Sequence, residues 1–173
     1  PINSNSASVN ITPLPTPQPA EFAGAVGDFT ASTRMSTNKF RSNEPATLTY
    51  TISGTGNIKY IKDAAIDFPS EFEQYTPKHT VDAEMKGNNV SGSSVTEYTF
   101  VPKEVGNYTI NVPNFVYFDP KVKEYKTIEL KSYDIKISQG VSGLTTNQQY
   151  VTSKNTDILF IKTGDKKLSH TRT

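Results

Sequence analysis

The chain has 173 residues, a formal net charge of +1 and no cysteine. The lack of cysteine excludes disulfides and thiolate metal sites, and the near-zero charge excludes a basic field for a nucleic-acid backbone. Apolar residues make up only 34% of the chain, but nine Phe and nine Tyr supply bulky material for a core of sandwich size. No apolar run approaches the roughly 20 residues of a membrane-spanning helix.

The first 20 residues are polar and rich in proline. Val9 and Ile11 alternate with polar residues, and proline then recurs every second position over residues 13–19. Proline fixes φ and removes a backbone donor, so this segment is expected to be an extended connector. We predict a linker over residues 1–20, or the end of a preceding module. Because the chain begins at Pro1 without Met, we expect a piece of a longer protein, with any export signal or membrane anchor outside it.

From Phe22 onward, apolar and polar residues alternate with a period of two over more than a hundred residues. In ATLTYTISG, Leu48, Tyr50 and Ile52 share one face and threonines the other, which is typical of a half-buried antiparallel strand. Other extended segments are predicted at residues 58–61, 66–69, 72–85, 95–102, 106–120, 124–130 and 133–138. Loops are predicted at KGNNVSGSS, residues 86–94, and at DPKVK, residues 119–123. No helical period extends over three turns. The pattern predicts an all-β fold: an immunoglobulin-like antiparallel β-sandwich of about seven strands over residues 21–140.

The last part of the chain changes character. Residues 141–173 form a polar linker that contains one short apolar island, DILFI, at residues 157–161. In FVYFD, Phe115 and Tyr117 alternate with Val116 and Phe118, so both faces of this predicted strand are apolar. We expect one face to cover the core and the island to dock on the other.

The glycines of FAGAVGDF are the first candidate for chemistry. Gly24 and Gly27 have the spacing of a backbone-binding loop, but that loop requires flanking helices and basic residues. A phosphate loop requires Lys followed by Ser or Thr at the start of a helix, where Asp28 stands here. Glycine in a strand more often marks a bulge or a close approach of another backbone, so we predict a structural role.

The ionisable residues offer no motif for catalysis or metal binding. The two histidines, His79 and His170, have neither zinc-ligand nor metalloprotease spacing, and His79 is predicted to be an exposed strand residue. Carboxylates for a glycosidase pair are available, but they lie in turn or alternation contexts that favour solvated faces. They are Glu71, Glu73, Glu97, Glu104, Asp119 and Glu124. Calcium ligation by Asp119 or Asp157 stays open, although no calcium loop is present. No catalytic, cofactor-binding or metal-binding residue is therefore assigned.

Five lysines lie on or next to the last two predicted strands. They are Lys121, Lys123, Lys126, Lys131 and Lys136. Such a stripe could bind a partner, but lysine on edge strands also prevents sheets from pairing with other chains. We favour this second interpretation.

Several fragments occur here in one order: FAGAVGDF, NEPATLTYTISGTGNIKYI, FPSEFEQYTPK, VPKEVGNYTINVPNFVYFDPKVKEYKTI and DILFIKTGD. Together, over residues 13–165, they resemble the BatD family of bacterial aerotolerance proteins. The resemblance implies tandem immunoglobulin-like modules in a membrane-anchored envelope protein linked to oxidative-stress tolerance. It also implies protein partners, namely other Bat-type membrane proteins with von Willebrand A domains. It supplies no catalytic residue.

We therefore expect a non-enzymatic protein-interaction or structural module on the periplasmic side of the cytoplasmic membrane. The alternative is an extracellular carbohydrate-binding or adhesive β-sandwich. That function requires aromatic side chains aligned on one face, with Tyr60, Tyr75, Tyr117 and Tyr125 as candidates, and tryptophan is absent.

Overall fold

The computed structural model describes residues 7–140, which contain ten β-strands, one short 3-10 helix and no α-helix. The predicted all-β class is confirmed. The strands are β1 (Phe22–Met35), β2 (Phe40–Arg41), β3 (Ala46–Gly56), β4 (Phe72–Gln74), β5 (Lys78–Lys86), β6 (Asn89–Pro102), β7 (Gly106–Ile110), β8 (Phe115–Asp119), β9 (Glu124–Ile128) and β10 (Tyr133–Ser138). The 3-10 helix is Ile58–Tyr60.

The strands form two sheets that pack as a sandwich. The larger sheet has the order β4-β6-β3-β1-β8-β9, with β5 also paired to β6, and the smaller sheet has the order β2-β10-β7. Most pairs are antiparallel, as predicted, but β1 with β8 and β2 with β10 are parallel. Parallel neighbours require a long connection, and both pairs join strands from opposite ends of the module. Short-range alternation carries no information about such pairings.

The alternation in β3 decides which residues enter the core. Leu48, Tyr50 and Ile52 are buried, and the threonines between them lie on the opposite, partly exposed face, as predicted. Residues 48–55 of this strand have a paired neighbour on both sides, because β3 lies between β1 and β6. Burial of the apolar face and satisfaction of the backbone hydrogen bonds thus reinforce each other.

Aromatic rings join the two sheets. Phe100 of β6 is fully buried and stacks on Phe72 of β4, with 5.3 Å between ring centroids. Phe40 of β2, in the smaller sheet, lies 6.5 Å from Phe100, and Tyr108 of β7 meets Phe72 edge to face at 5.1 Å. Aromatic side chains bury large areas, so these contacts explain how a chain with few apolar residues forms a core.

Some predicted segments differ from the structure, and residues 66–69 form no strand but only an isolated bridge between Asp67 and Asn111. The stretch KGNNVSGSS is not a long loop, because β5 and β6 pair as far as Lys86 and Asn89 and leave only a two-residue turn, in which Gly87 has φ +63°. Ser93 and Ser94 then continue as paired strand residues. Small polar residues signal loops by composition, but here neighbours on both sides satisfy their backbones. The extended segment predicted at residues 58–61 contains the 3-10 helix.

Both faces of β8 are buried, as the alternation in FVYFD predicted. Phe115 and Tyr117 belong to the main core. On the opposite face Phe118 meets Tyr125 at 5.3 Å, and the Tyr125 hydroxyl donates a 2.8 Å hydrogen bond to the carbonyl oxygen of Pro15. The proline-rich segment therefore contacts β9. The island proposed to dock here, residues 157–161, lies outside the described residues.

Candidate functional site

A cleft of about 330 Å³ opens between the start of β1, the middle of β3 and the loop that follows the 3-10 helix. Its apolar lining includes Ile52 and Phe115, and small residues such as Ala23 and Ala64 leave the space open. Glu21, Lys62, Asp63 and Asn114 supply polar groups around it. An apolar surface with a few polar groups is the usual composition of a binding cleft.

Tyr50 is the buried polar residue of this cleft. Its side chain points inward because β3 alternates, and only 3% of the residue is exposed. Its hydroxyl makes no hydrogen bond with another residue of the part of the chain that the structure describes. Burial raises the pKa of Tyr50 far above its usual value, and the nearby Tyr98 and Glu21 add to this shift. The phenol therefore stays protonated and can donate a hydrogen bond to an acceptor in the cleft.

Tyr98 holds the loop that lines the cleft. Its hydroxyl donates a 2.6 Å hydrogen bond to the carbonyl oxygen of Ala64. Burial, and then the negative charge of Asp63, raise the pKa of Tyr98 to about 12. Tyr98 thus fixes the position of the loop without taking part in proton transfer near neutral pH.

Asp63, His79 and Thr96 form a polar cluster next to this loop. Asp63 Oδ1 lies 2.6 Å from His79 Nδ1 and accepts a 2.8 Å hydrogen bond from the Thr96 hydroxyl. The Thr96 oxygen is also 3.0 Å from His79 Nδ1. In a catalytic triad the hydroxyl and the carboxylate meet opposite nitrogens of the imidazole, whereas here both meet the same nitrogen. The cluster ties the loop to β5 and β6.

His79 lies on an exposed strand, as predicted, and its side chain is 35% exposed. Its link to Asp63 was not predicted, because the two residues are 16 positions apart and give no local signal. Tyr50 and Tyr98 were expected as strand residues, and only the cleft identifies them as site residues. His170 lies outside the described residues.

The glycines of FAGAVGDF have the predicted structural role. Gly24, with φ +85°, lies where the register of β1 against β8 shifts between Phe22 and Ala25, which is a bulge. Gly27 lies opposite Gly56, and a Cβ atom at Gly27 would overlap the carbonyl oxygen of Thr55. The close backbone approach requires glycine at this position.

The candidate carboxylates do not converge on a common cleft. Glu73 pairs with Lys103 and Glu97 with Lys78, at exposed positions. The two oxygens of Asp119 accept hydrogen bonds from the amide of Lys121 at 2.9 Å and from Lys126 Nζ at 2.6 Å. Glu71 accepts a bond from its neighbour Ser70. Glu104 and Glu124 lie at turn and strand-start positions. Within residues 7–140, no cluster of three or more His, Asp or Glu side chains could hold a metal ion.

The four candidate tyrosines of the carbohydrate-binding alternative do not share a surface. Tyr117 is buried and packs edge to face on Phe29, with 5.8 Å between ring centroids. Tyr125 is half-buried against Phe22 and Phe118. Tyr60 and Tyr75 are exposed, on the 3-10 helix and after β4. A sugar platform requires aligned exposed rings, so the structure does not favour this alternative.

The lysine stripe is divided between the two sheets. Lys126 lies on the edge strand β9 and pairs with Asp119, and Lys121 lies 3.2 Å from Asp28. Lys123 has φ +60° in the predicted hairpin loop. Lys136 is on β10, the central strand of the smaller sheet, and Lys131 lies between β9 and β10. The lysines therefore do not form one continuous binding surface.

Comparison with known proteins identifies one family. The family model described as "BatD DUF11 like domain" matches residues 33–138, more than half of the chain. No curated protein and no solved structure matches the chain. Among the described residues, no helix is long and apolar enough to cross a membrane.

Proposed function

The chain belongs to the BatD family, and from this membership we propose that it is a non-enzymatic protein-interaction and structural module of a membrane-anchored envelope protein. The module lies on the periplasmic side of the cytoplasmic membrane and is attached through a segment outside this chain. Its partners are Bat-type membrane proteins with von Willebrand A domains. The assembly contributes to tolerance of oxygen and oxidative stress.

The chemistry of the cleft supports binding rather than catalysis. General acid–base catalysis near neutral pH needs a group that readily gains and loses a proton, and the raised pKa of Tyr50 keeps its phenol protonated. The imidazole of His79 meets Asp63 and Thr96 through one nitrogen, which is not the arrangement of an activated nucleophile. These groups can hold a ligand in place, and their geometry supplies no step that breaks a bond.

The cleft is the surface that we propose for the partner. A side chain that enters it would contact Ile52 and Phe115 and could accept a hydrogen bond from Tyr50. Glu21 and Lys62 border the same space and can pair with polar groups at the rim. Binding energy in protein interfaces concentrates where an anchor side chain fills a dry pocket surrounded by polar contacts. The observation that carries the proposal is the Tyr50 side chain, which is almost wholly buried and lines this cleft with a hydroxyl that has no hydrogen-bond partner among the described residues.

The experiment measures binding of the 173-residue chain to the purified von Willebrand A domain of a Bat-type protein, by surface plasmon resonance. Tyr50→Phe keeps the ring and removes the hydroxyl, so we expect the dissociation constant to rise about threefold to tenfold. Thr49→Val, on the opposite face of β3, is the matched control and should leave affinity unchanged.

The outcomes separate the two parts of the proposal. Failure of the wild-type chain to bind any such domain contradicts the partner. Binding that responds equally to Tyr50→Phe and Thr49→Val places the contact elsewhere than the cleft. Selective loss with Tyr50→Phe supports both parts.

A further inference from the structure

Strand β5 is a long free edge of the larger sheet. All nine of its residues pair with β6, from Lys78 opposite Glu97 to Lys86 opposite Asn89, and among the described residues it pairs with no other strand. The opposite edge of this sheet, β9, has only five residues. An unpaired edge exposes a row of backbone donors and acceptors that can bind another strand.

Within β5, two of the devices that block pairing at an edge are missing, namely proline and a bulge, although the strand carries the charged residues Lys78, Asp82, Glu84 and Lys86. Proteins protect edges with proline, bulges and charged residues that point inward. Within β5 there is no proline and the register is unbroken. The inward positions near its centre are Val81 and Ala83, which are partly buried against the core.

A bulge marks where the usable edge begins. Gln74 lies opposite Phe100 and Lys78 opposite Glu97, so four positions along β4 and β5 match three along β6. Pro77, which has no amide hydrogen, lies in this bulge just before β5. A strand added to the edge can therefore pair from Lys78 onward.

The charges on the outer face of β5 are complementary to those of a second copy of the same strand. Lys78 and Glu84 lie three positions on either side of Val81, and both are exposed. We propose that β5 is a dimerisation edge, on which a second copy of this chain adds its own β5 in antiparallel orientation about a two-fold axis at Val81. Each Lys78 then faces Glu84 of the second copy, and Val81 faces Val81.

The competing registers are less favourable. Side chains keep their face only if the register moves in steps of two residues, so the neighbouring two-fold axes lie at Asp82 and Thr80. An axis at Asp82 places Lys78 opposite Lys86 and Asp82 opposite itself, and like charges directly opposite each other destabilise a sheet. An axis at Thr80 confines the pairing to residues 78–82, because the bulge with Pro77 begins there.

Because the proposed dimer has two-fold symmetry, every contact between a residue of one copy and a different residue of the other occurs twice. A favourable Lys78–Glu84 pair occurs twice in the dimer, once on each side of the axis. Reversing one member of the pair therefore creates two repulsive contacts. Reversing both members restores two attractive contacts with exchanged signs.

The test is sedimentation equilibrium of the 173-residue chain and four variants, over a concentration series up to about 1 mM. Lys78→Glu and Glu84→Lys should each raise the dimer dissociation constant about tenfold or more. The double variant Lys78→Glu/Glu84→Lys should recover most of the wild-type affinity. Lys86→Glu lies outside the Val81-centred pairing and should leave the dissociation constant unchanged.

Folding of each variant is checked by its circular dichroism spectrum and thermal unfolding. Lys78 also lies 3.7 Å from Glu97 in its own chain, so Glu84→Lys, which disturbs no ion pair of the described residues, is the cleaner single variant. A wild-type chain that stays monomeric contradicts the proposal. A wild-type chain that dimerises also contradicts it if the double variant has a dissociation constant as high as those of the single variants. The same holds if Lys86→Glu raises the dissociation constant as much as the single variants do. The proposal does not depend on the proposed function.

Discussion

The ring of Phe29 lies against the backbone of Gly54, its partner across β1 and β3. A Cβ atom at Gly54 would lie 2.8 Å from Phe29 Cδ1, and one at Gly56 would lie 2.8 Å from Cζ of the same ring. The glycines of these strands thus leave a flat surface on which a core aromatic ring packs. Gly54 and Gly56 therefore have a packing role in β3.

Gly54→Ala tests this packing directly. The added methyl group overlaps the carbonyl oxygen of Asp28 and presses on the Phe29 ring, so we expect the free energy of unfolding to fall by about 2–3 kcal/mol. Gly24→Ala is the control, because a Cβ there meets nothing within 4 Å. It carries only the penalty of its left-handed φ, about 1 kcal/mol. Urea denaturation measures both, and equal losses would contradict the role of the Phe29 contact.

Phe100→Ala removes the ring that both sheets share. Its neighbours Phe72 and Phe40 belong to different sheets, so the cavity cannot close by a small shift of one strand. The expected loss in the free energy of unfolding is about 3–5 kcal/mol. Tyr75→Ala, at a half-exposed position, should change it by less than about 0.5 kcal/mol. Chemical denaturation compares the two, and a loss at Phe100 no larger than at Tyr75 would contradict the assigned core.

Asp119→Asn tests the ion pair with Lys126. The hydrogen bond from Lys126, and then the amide of Lys121, hold the pKa of Asp119 below its usual value. A carboxylate with a lowered folded-state pKa stabilises the fold above its unfolded-state pKa, about 4, and this contribution is lost as the pH falls through the folded-state value. The variant should therefore be less stable than wild type at neutral pH, and the gap should narrow in acid.

Urea denaturation at a series of pH values measures this difference in the free energy of unfolding between wild type and Asp119→Asn. Glu97→Gln is the control. Glu97 and Lys78 are both well exposed, at 44% and 77% of their side chains, and exposed pairs contribute little. A gap for Asp119→Asn that is the same at pH 7 and pH 3 would show that the charge of Asp119 does not stabilise the fold.

Tyr98→Phe tests the anchor of the cleft loop. Loss of the hydrogen bond to Ala64 should lower the free energy of unfolding by about 1 kcal/mol at neutral pH. Because the folded-state pKa of Tyr98 is raised from 10.0 to about 12, wild type should lose stability as the pH rises through this interval. Tyr98→Phe should lose less over the same interval. Alkaline denaturation series and ultraviolet titration of tyrosine measure this, and identical alkaline losses would contradict the shift.

The strands themselves could be predicted because their signal is local. Leu48, Tyr50 and Ile52 alternate with threonine, and this pattern alone indicates which face is buried. The prediction of a loop at residues 86–94 was wrong for the same reason. Ser93 and Ser94 have the local composition of a loop, and only their pairing with β3 and β5 places them in a strand. Local composition depends only on neighbouring residues in the sequence, whereas strand pairing depends on residues that are far away along the chain.

The sequence by itself determined the all-β class, the inward face of β3, the structural role of Gly24 and Gly27, and the family, because each follows from residue types at short spacings. Only the tertiary structure decided that Asp63 meets His79 and Thr96, that Tyr50 faces a cleft, and that β5 is an open edge. These features arise from sheet order and register, in which backbones far apart in the chain satisfy each other's hydrogen bonds.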